Sequence, residues 1–338
     1  METSLEAEEA VQDIEAGTLD VRVKQVRYEG KGIHSYEFTS PTGEPLPPFE
    51  AGSHIDIHLK NGVIRQYSLC NSPAERSRYV IAVLRDEAGR GGSRAMHDEV
   101  AAGSIVTISR PRNHFALDGN AKRVVLIAGG IGVTPLKAMA HELDTHHVEF
   151  EMHYCARNRD AAAFREEFSA MERDGRLRYH FDEGARHNQL DIAKLLAQPA
   201  PGTHVYYCGP SGFMKACADA ASHWPKGTVH FEHFKAPEQP KRAPAPASTE
   251  VADGCDVTIA STGQVVHLSA DQSLADALNA AGVEVPTSCC AGLCATCKVR
   301  YREGEVEHND FILSDEERRE YLTTCVSRPA SKTLVLDL

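Results

Sequence analysis

Four thiols near the C-terminus restrict this chain more than any other feature. Cys289, Cys294 and Cys297 are spaced Cys-x4-Cys-x2-Cys, and Cys325 follows Cys297 by 28 positions. That is the plant-type spacing of a [2Fe–2S] cluster, with three thiolates in one tight loop and the fourth from a distant segment. The chain must leave the loop after Cys297 and return to it, which demands a folded domain around the loop. Zinc is an alternative, but structural zinc sites usually pair two Cys-x-x-Cys knuckles and only one is present. Unmetallated thiols are the other alternative. Cys290 does not fit the spacing and reads as a bystander. Ala291, Gly292, Leu293 and Ala295 supply a small, close-lying backbone whose N–H groups can reach the sulfides and tune the potential.

Upstream, the hydrophobic rhythm changes. From 19 to about 117, short alternating stretches (21–26, 54–59, 79–84) are bounded by Gly, Pro or Asn, which predicts a small antiparallel β-barrel. From Lys122 the pattern becomes strand then helix. The continuous apolar run 124–128 predicts a strand buried on both faces. Helices are expected at 136–143, 161–172, 190–196 and 212–221, and further strands at 148–155, 177–181, 205–208 and 229–234. This alternation builds a parallel α/β sheet. Residues 236–250 are rich in Pro and Ala and read as a semi-extended linker. The last segment predicts a hairpin (256–259, 265–268) and a helix over 274–281, capped by Ser273 and stopped by Gly282. A capping box, Ser314-x-x-Glu317, opens a short acidic helix, and 333–336 is a closing strand. The expected organisation is an acidic tail (1–18), a barrel (19–118), a nucleotide-binding α/β domain (119–235), the linker and a cluster domain (251–338).

Charge removes one class of function. The formal net charge is −12, and phosphate-backbone binding needs a basic face, so nucleic acid is not the expected partner. Residues 251–338 hold 14 Asp/Glu against 7 Lys/Arg. That acidity either steers the domain toward a basic patch on a partner protein or only keeps it solvated. No apolar run is long enough for a membrane span, and the acidic N-terminus lacks the pattern of a secretory signal. Ten cysteines then point to metal or redox chemistry in the cytoplasm. His141-Glu142 is followed by His146, one position too far for a zinc-protease helix.

Two further segments carry binding chemistry. Arg65-Gln66-Tyr67-Ser68 follows a strand, and Gly91-Gly92-Ser93 lies in a glycine-rich turn. An Arg beside such a turn can hold a phosphate, and Tyr67 and Ser68 can pack on an isoalloxazine ring and bond its N5 edge. Gly129-Gly130-Ile131-Gly132-Val133-Thr134-Pro135 sits between a buried strand and a helix, where helix N–H groups point outward. It is neither a Walker A loop nor a complete Gly-x-Gly-x-x-Gly. Cys208-Gly209-Pro210 also follows a buried strand and precedes a helix, so the two turns can converge on one crevice.

These three motifs, in this order, resemble the phthalate dioxygenase reductase family, which includes vanillate demethylase reductases. The resemblance runs from about Leu19 to Leu338. It implies a β-grasp ferredoxin domain at the C-terminus, FMN as the flavin and NADH as donor. It implies Arg65, Gln66, Tyr67, Ser68 and Gly91–Ser93 as FMN contacts, and Gly130, Gly132, Thr134 and Cys208–Pro210 as nicotinamide contacts. Cys208 and Thr134 would assist hydride transfer by positioning the nicotinamide. Phe231 or Phe234, with Phe231 preferred, is similar to the family's flavin-shielding aromatic. Asp160 favours a ribose hydroxyl over a 2′-phosphate, although Arg157 and Arg159 flank it. The implied activity passes a hydride from NADH to FMN and single electrons through the cluster to a Rieske non-haem iron oxygenase. A diiron monooxygenase, a ferredoxin or a cytochrome are other possible acceptors, and a redox sensor without turnover is the reading outside catalysis. The cluster loop departs from the family at Cys290, where an acidic residue is usual, and at Ala295, where glycine is usual.

Overall fold

The computed structural model describes residues 17–184, 189–235, 254–269 and 272–338. The expected acidic tail, but for its last two residues, and the expected linker lie outside them. The chain forms two compact units divided after Phe234.

The first unit opens with an antiparallel sheet. Its strands are β1 (Thr18–Gly30), β2 (Ile33–Thr39), β3 (Ser53–His58), β4 (Ile64–Ser68), β5 (Tyr79–Leu84), β6 (Ile105–Ser109) and β7 (Arg112–Asn113). The order is β4-β3-β6-β1-β2-β5, with β7 on β3, and the end strands β4 and β5 come into contact. The sheet therefore rolls into the expected barrel around Val21, Tyr36, Phe38, Ile55, Ile57 and Ile81. Alternation along the strands puts these side chains on one face. A helix, α1 (Gly92–Glu99), follows the Gly-Gly turn. No helix is expected there from sequence, because two glycines at its start have the pattern of a turn.

The parallel sheet has order β10-β9-β8-β11-β12. Its strands are β8 (Arg123–Gly129), β9 (Glu149–Ala156), β10 (Leu177–Phe181), β11 (Thr203–Cys208) and β12 (Val229–Glu232). The helices are α2 (Val133–Thr145), α3 (Ser169–Arg173), α4 (Ile192–Leu195) and α5 (Ser211–Ala220). Val124 to Ala128 are all buried, as the unbroken apolar run required. The expected helix over 161–172 does not form. Turns occupy 163–168 and only α3 is helical. Phe164 takes φ +61°, a left-handed conformation that a helix interior does not tolerate. It and Phe168 are buried in the core that α2 shares with the sheet, so tertiary packing overrides the local helical pattern.

The second unit is one mixed sheet, β14-β13-β19-β15-β17, with a separate β16–β18 pair. Its strands are β13 (Cys255–Ile259), β14 (Val265–Leu268), β15 (Lys298–Glu303), β16 (Val306–Glu307), β17 (Tyr321–Thr323), β18 (Arg328–Pro329) and β19 (Thr333–Leu336). Helix α6 (Leu274–Ala280) buries Leu274, Ala277 and Leu278. Its cap is the expected one: Asp276 N–H donates to Ser273 Oγ at 3.1 Å, an interaction worth about 1 kcal/mol. The Ser314–Glu317 box also forms, with Ser314 N–H donating to Glu317 Oε2 at 2.9 Å and Glu317 N–H to Ser314 Oγ at 3.2 Å. It opens a single 3-10 turn, Glu317–Arg319, rather than an α-helix. Among the described residues no helix is long and apolar enough to cross a membrane.

Candidate functional site

The parallel sheet reverses its strand order between β8 and β11, and open α/β sheets bind ligands beyond the C-terminal strand ends at such a point. There Gly129–Gly132 leads from β8 to α2, and Cys208–Pro210 leads from β11 to α5. The two turns touch. A Cβ on Gly132 would lie 2.2 Å from the Cys208 carbonyl oxygen, and one on Gly209 3.0 Å from Gly129 Cα. Gly130 is different: φ is +54°, and a Cβ there would meet nothing within 4 Å. Its backbone is open to a ligand. Thr134 is buried, and its hydroxyl donates to the Ile131 carbonyl at 3.1 Å. It therefore fixes the turn. No side chain caps α2; its first residue, Val133, donates its N–H to the Gly130 and Ile131 carbonyls, and Pro135 has none to offer.

On the barrel, β4 sends Arg65 and Tyr67 to one face and Gln66 and Ser68 to the other. Tyr67 packs on the barrel core, and burial raises its phenol above the ordinary range. Gln66 Nε2 lies 3.3 Å from His54 Nε2. Arg65 crosses to the start of α1, donating to the Arg90 carbonyl at 3.2 Å. A Cβ on Gly92 would come within 2.4 Å of Arg65 Cγ, so only glycine lets the arginine lie there. Gly91, at φ +86°, caps α1 without a side-chain bond. Ser93 Oγ accepts from Asp86 N–H at 3.0 Å. A guanidinium against an uncapped, glycine-lined helix start has the chemistry for the phosphate of a flavin mononucleotide.

The two halves meet at a carboxyl that the sequence reading missed. Ser68 Oγ donates to Glu232 Oε2 at 3.4 Å, and Glu232 is the register partner of Cys208 on the neighbouring parallel strand. Burial pushes the Glu232 carboxyl up to about 8, with Ser68 partly offsetting it. Burial, then the nearby Glu232, also raises the Cys208 thiol well above its usual value. Cys208 is thus a neutral thiol, suited to packing and weak hydrogen bonding rather than to attack. The only signal for Glu232 in the sequence was a carboxylate wedged among aromatic and histidine residues at the last strand's end.

The two aromatic candidates lie on β12 and just beyond its end. Phe231 stacks on Tyr207, ring centroids 5.5 Å apart, on the face that packs toward α5. Glu232 lies on the opposite face, and Phe234 follows two residues later; both phenylalanines are substantially exposed. Asp160 is exposed, and its backbone is docked on the barrel, its carbonyl accepting from Lys31 N–H at 2.6 Å. Arg157 and Arg159 are exposed in the same loop.

The second unit brings the four predicted thiols together. Cys297 and Cys325 have sulfurs 3.2 Å apart, and Leu293 N–H donates to Cys289 Sγ at 3.3 Å. Hydrogen bonds from Cys294 and then Cys325 hold the Cys289 thiol far down, and the Leu293 and Ala291 amides add to this. Cys325 likewise lowers Cys297 to about 7. Their partners Cys294 and Cys325 are pushed up by the same hydrogen bonds to Cys289; four sulfurs this close, with backbone amides aimed at Cys289, fit an iron–sulfur cluster. Gly292 is required here: at φ +69° its Cβ would meet Val326 at 2.8 Å and Asp310 Cα at 2.9 Å. Cys290 is exposed. It and Ala295 take φ +47° and +53°, left-handed values that cost a non-glycine residue about 1 kcal/mol.

Residues 257–330 match the 2Fe-2S iron-sulfur cluster binding domain family, and residues 126–219 the oxidoreductase NAD-binding domain family. The solved structure of phthalate dioxygenase reductase, described as modular for electron transfer from pyridine nucleotides to [2Fe-2S], superposes with a TM-score of 0.73 at 39% identity over 96% of this chain and 99% of that one. This chain belongs to the phthalate dioxygenase reductase family. It is an oxidoreductase with a pyridine-nucleotide domain and a [2Fe–2S] domain. The chain is also 51% identical over 323 residues, 95% of its length and 96% of the relative's, to the tert-butanol monooxygenase / tert-amyl alcohol desaturase reductase subunit of Aquincola tertiaricarbonis. An intact type IV self-sufficient cytochrome P450 monooxygenase matches 94% of this chain with 41% of its own, at 38% identity and a TM-score of 0.82.

Proposed function

We propose that this protein is the reductase component of a two-component oxygenase of the Rieske non-haem iron type, drawing electrons from NADH through FMN and the [2Fe–2S] cluster. The observation that carries the reading is the meeting of Ser68, Cys208 and Glu232, three strand ends from two sheets, at the switch point. When bound, the flavin accepts a hydride and the cluster carries single electrons, so a two-electron donor serves a one-electron acceptor. The chain's residues bind and orient. Arg65 and Gly91–Ser93 hold the flavin phosphate, and Tyr67 and Ser68 its ring. Gly130, Gly132, Thr134 and Cys208–Pro210 shape the nicotinamide site, and Glu232 holds a proton beside it. Phe231, exposed beside Tyr207, is the aromatic assigned to cover the flavin, with Phe234, exposed just beyond β12, as the alternative. Cys289, Cys294, Cys297 and Cys325 ligate the irons. The division into barrel (19–118), α/β domain (119–235), linker (236–250) and cluster domain (251–338) belongs to the same reading, as does action in the cytoplasm.

Anaerobic addition of NADH to the purified holoprotein tests the relay: the flavin and iron–sulfur bands should both bleach, and a protein that keeps its colour refutes it. Faster turnover with NADPH than with NADH would refute the role given to Asp160. A second acceptor class is favoured by one observation, the similarity to part of a P450 monooxygenase chain. Reduction of a purified Rieske oxygenase, compared with a haem or diiron oxygenase, decides between them.

A further inference from the structure

Lys137 carries a charge where burial makes charge costly. It lies on α2, three residues after Thr134, with its side chain only 3% exposed. A buried ammonium is destabilising unless it is both paired and hydrogen-bonded. Lys137 Nζ donates to the Cys70 carbonyl at 2.9 Å and pairs with Glu167 Oε2 at 2.8 Å. It also stands 4.9 Å from the Phe164 ring centroid. Cys70 belongs to the barrel, two residues beyond Ser68, and its own N–H donates to the Val80 carbonyl at 2.8 Å. The carbonyl that Lys137 grips is therefore anchored to β5. One helical turn joins the lysine to the Gly129–Thr134 loop, and two residues join its acceptor to Ser68.

A polar cleft of about 300 Å³ opens along the same seam, lined by Arg27, Glu29 and Arg78 of the barrel and by Lys137, His141 and Glu167 of the α/β part. Beside the cleft an apolar core joins Ile33, Ala51, Cys70 and Ala82 of the barrel to α2 and Phe164; that packing is non-directional, so the polar bonds at its edge add the register. Packing alone could be supplied by an uncharged side chain of similar length, often with no loss of stability. The ammonium adds a bond to one carbonyl at one position. We propose that Lys137 is a positioning residue, which fixes the β8–α2 turn against the end of β4 and so sets how closely the dinucleotide approaches the flavin. This rests on the flavin and nicotinamide placements proposed above.

The test uses full-length holoprotein with flavin content measured, comparing wild type with Lys137→Met and Glu167→Gln. Anaerobic stopped-flow mixing with NADH gives the limiting rate of flavin bleaching and the apparent Kd. A misplacement near 1 Å costs about 100-fold in rate, so Lys137→Met should bleach about 10- to 100-fold more slowly per bound flavin, with Kd within about threefold. Glu167→Gln, which leaves the Cys70 bond, should lose about threefold or more, and it decides the matter if Lys137→Met does not fold. Hydrogen exchange should quicken at amides 69–71, 133, 134, 136 and 137 in both variants. An unchanged bleaching rate or unchanged exchange overturns the proposal. Wild-type protein whose flavin NADH does not bleach overturns the functional reading instead, and the exchange data then decide on Lys137 alone.

Discussion

Gly130→Ala and Gly132→Ala separate two reasons for a glycine within three residues. Gly132 has φ −61° and ψ −3°, an ordinary right-handed conformation that alanine accepts. Its difficulty is space. The added Cβ would sit 2.2 Å from the Cys208 carbonyl oxygen, 2.4 Å from its carbon and 2.7 Å from Gly209 N. All three atoms are backbone, and ordinary contact needs roughly 3.4 Å or more, so the β8 and β11 ends must separate by about 1 Å. Overpacking of this kind destabilises by about 1–3 kcal/mol. The displacement falls on the two turns proposed to hold the nicotinamide, so hydride transfer should slow by about 100-fold. Gly130 has free space and φ +54°. Alanine there pays only the left-handed penalty, about 1–2 kcal/mol, without a clash. Denaturant melts and NADH-driven flavin bleaching on both variants read the two effects separately. Gly132→Ala with wild-type stability and a bleaching rate within about twofold of wild type would refute the argument, because a backbone clash of that size cannot be absorbed silently.

The cluster assignment predicts that Cys289→Ser loses the iron–sulfur absorbance on purification, whereas Cys290→Ser retains it; visible spectra and iron analysis decide. Ala295→Gly should raise the unfolding free energy of the second unit by about 1 kcal/mol, measured by denaturant titration, since it relieves φ +53°. Stability should also respond to pH in two opposed ways. Burial lowers His141 and His180 to about 4, so their contribution is present above their usual 6.5 and is lost as pH falls toward 4. Glu232 is raised to about 8, so its contribution is full below 4.5 and is lost as pH rises through 8. Melting curves from pH 5 to 9 should therefore show Glu232→Gln gaining on the wild type at the alkaline end, with no such gain at pH 5.

What the sequence made legible was whatever chemistry is local. The 124–128 run needed only its own composition to read as a doubly buried strand, and all five residues are buried. Ser273 needed only the three residues after it, and its cap forms as expected. The cysteine spacing stood out because three thiols share one loop. The reading failed where distant packing decides. Ala161 to Glu172 has helical composition, yet Phe164 turns left-handed so that two phenylalanines reach the core beneath α2. Glycine-rich 91–93 read as a turn, although Gly91 turns the chain into α1.

Glu232 and Lys137 explain best why part of the site stayed hidden. Each is unremarkable in its own segment: one charged residue ends a short strand, the other sits in the first turns of a helix. Their meaning comes from partners far along the chain, since Ser68 is 164 positions from Glu232 and Cys70 is 67 from Lys137. Both bonds cross the same seam, between the barrel that carries Arg65–Ser68 and the sheet that carries Gly129–Pro135. A site assembled from two folding layers needs groups that hold the layers in register, and such groups need match no motif because either partner can supply the donor. The glycines mark where ligands fit, while the buried polar pairs mark what keeps those places aligned. If that division holds, exchanging a glycine in either turn should change dinucleotide binding as well as the rate of transfer, whereas breaking a seam bond should change the rate with binding largely intact.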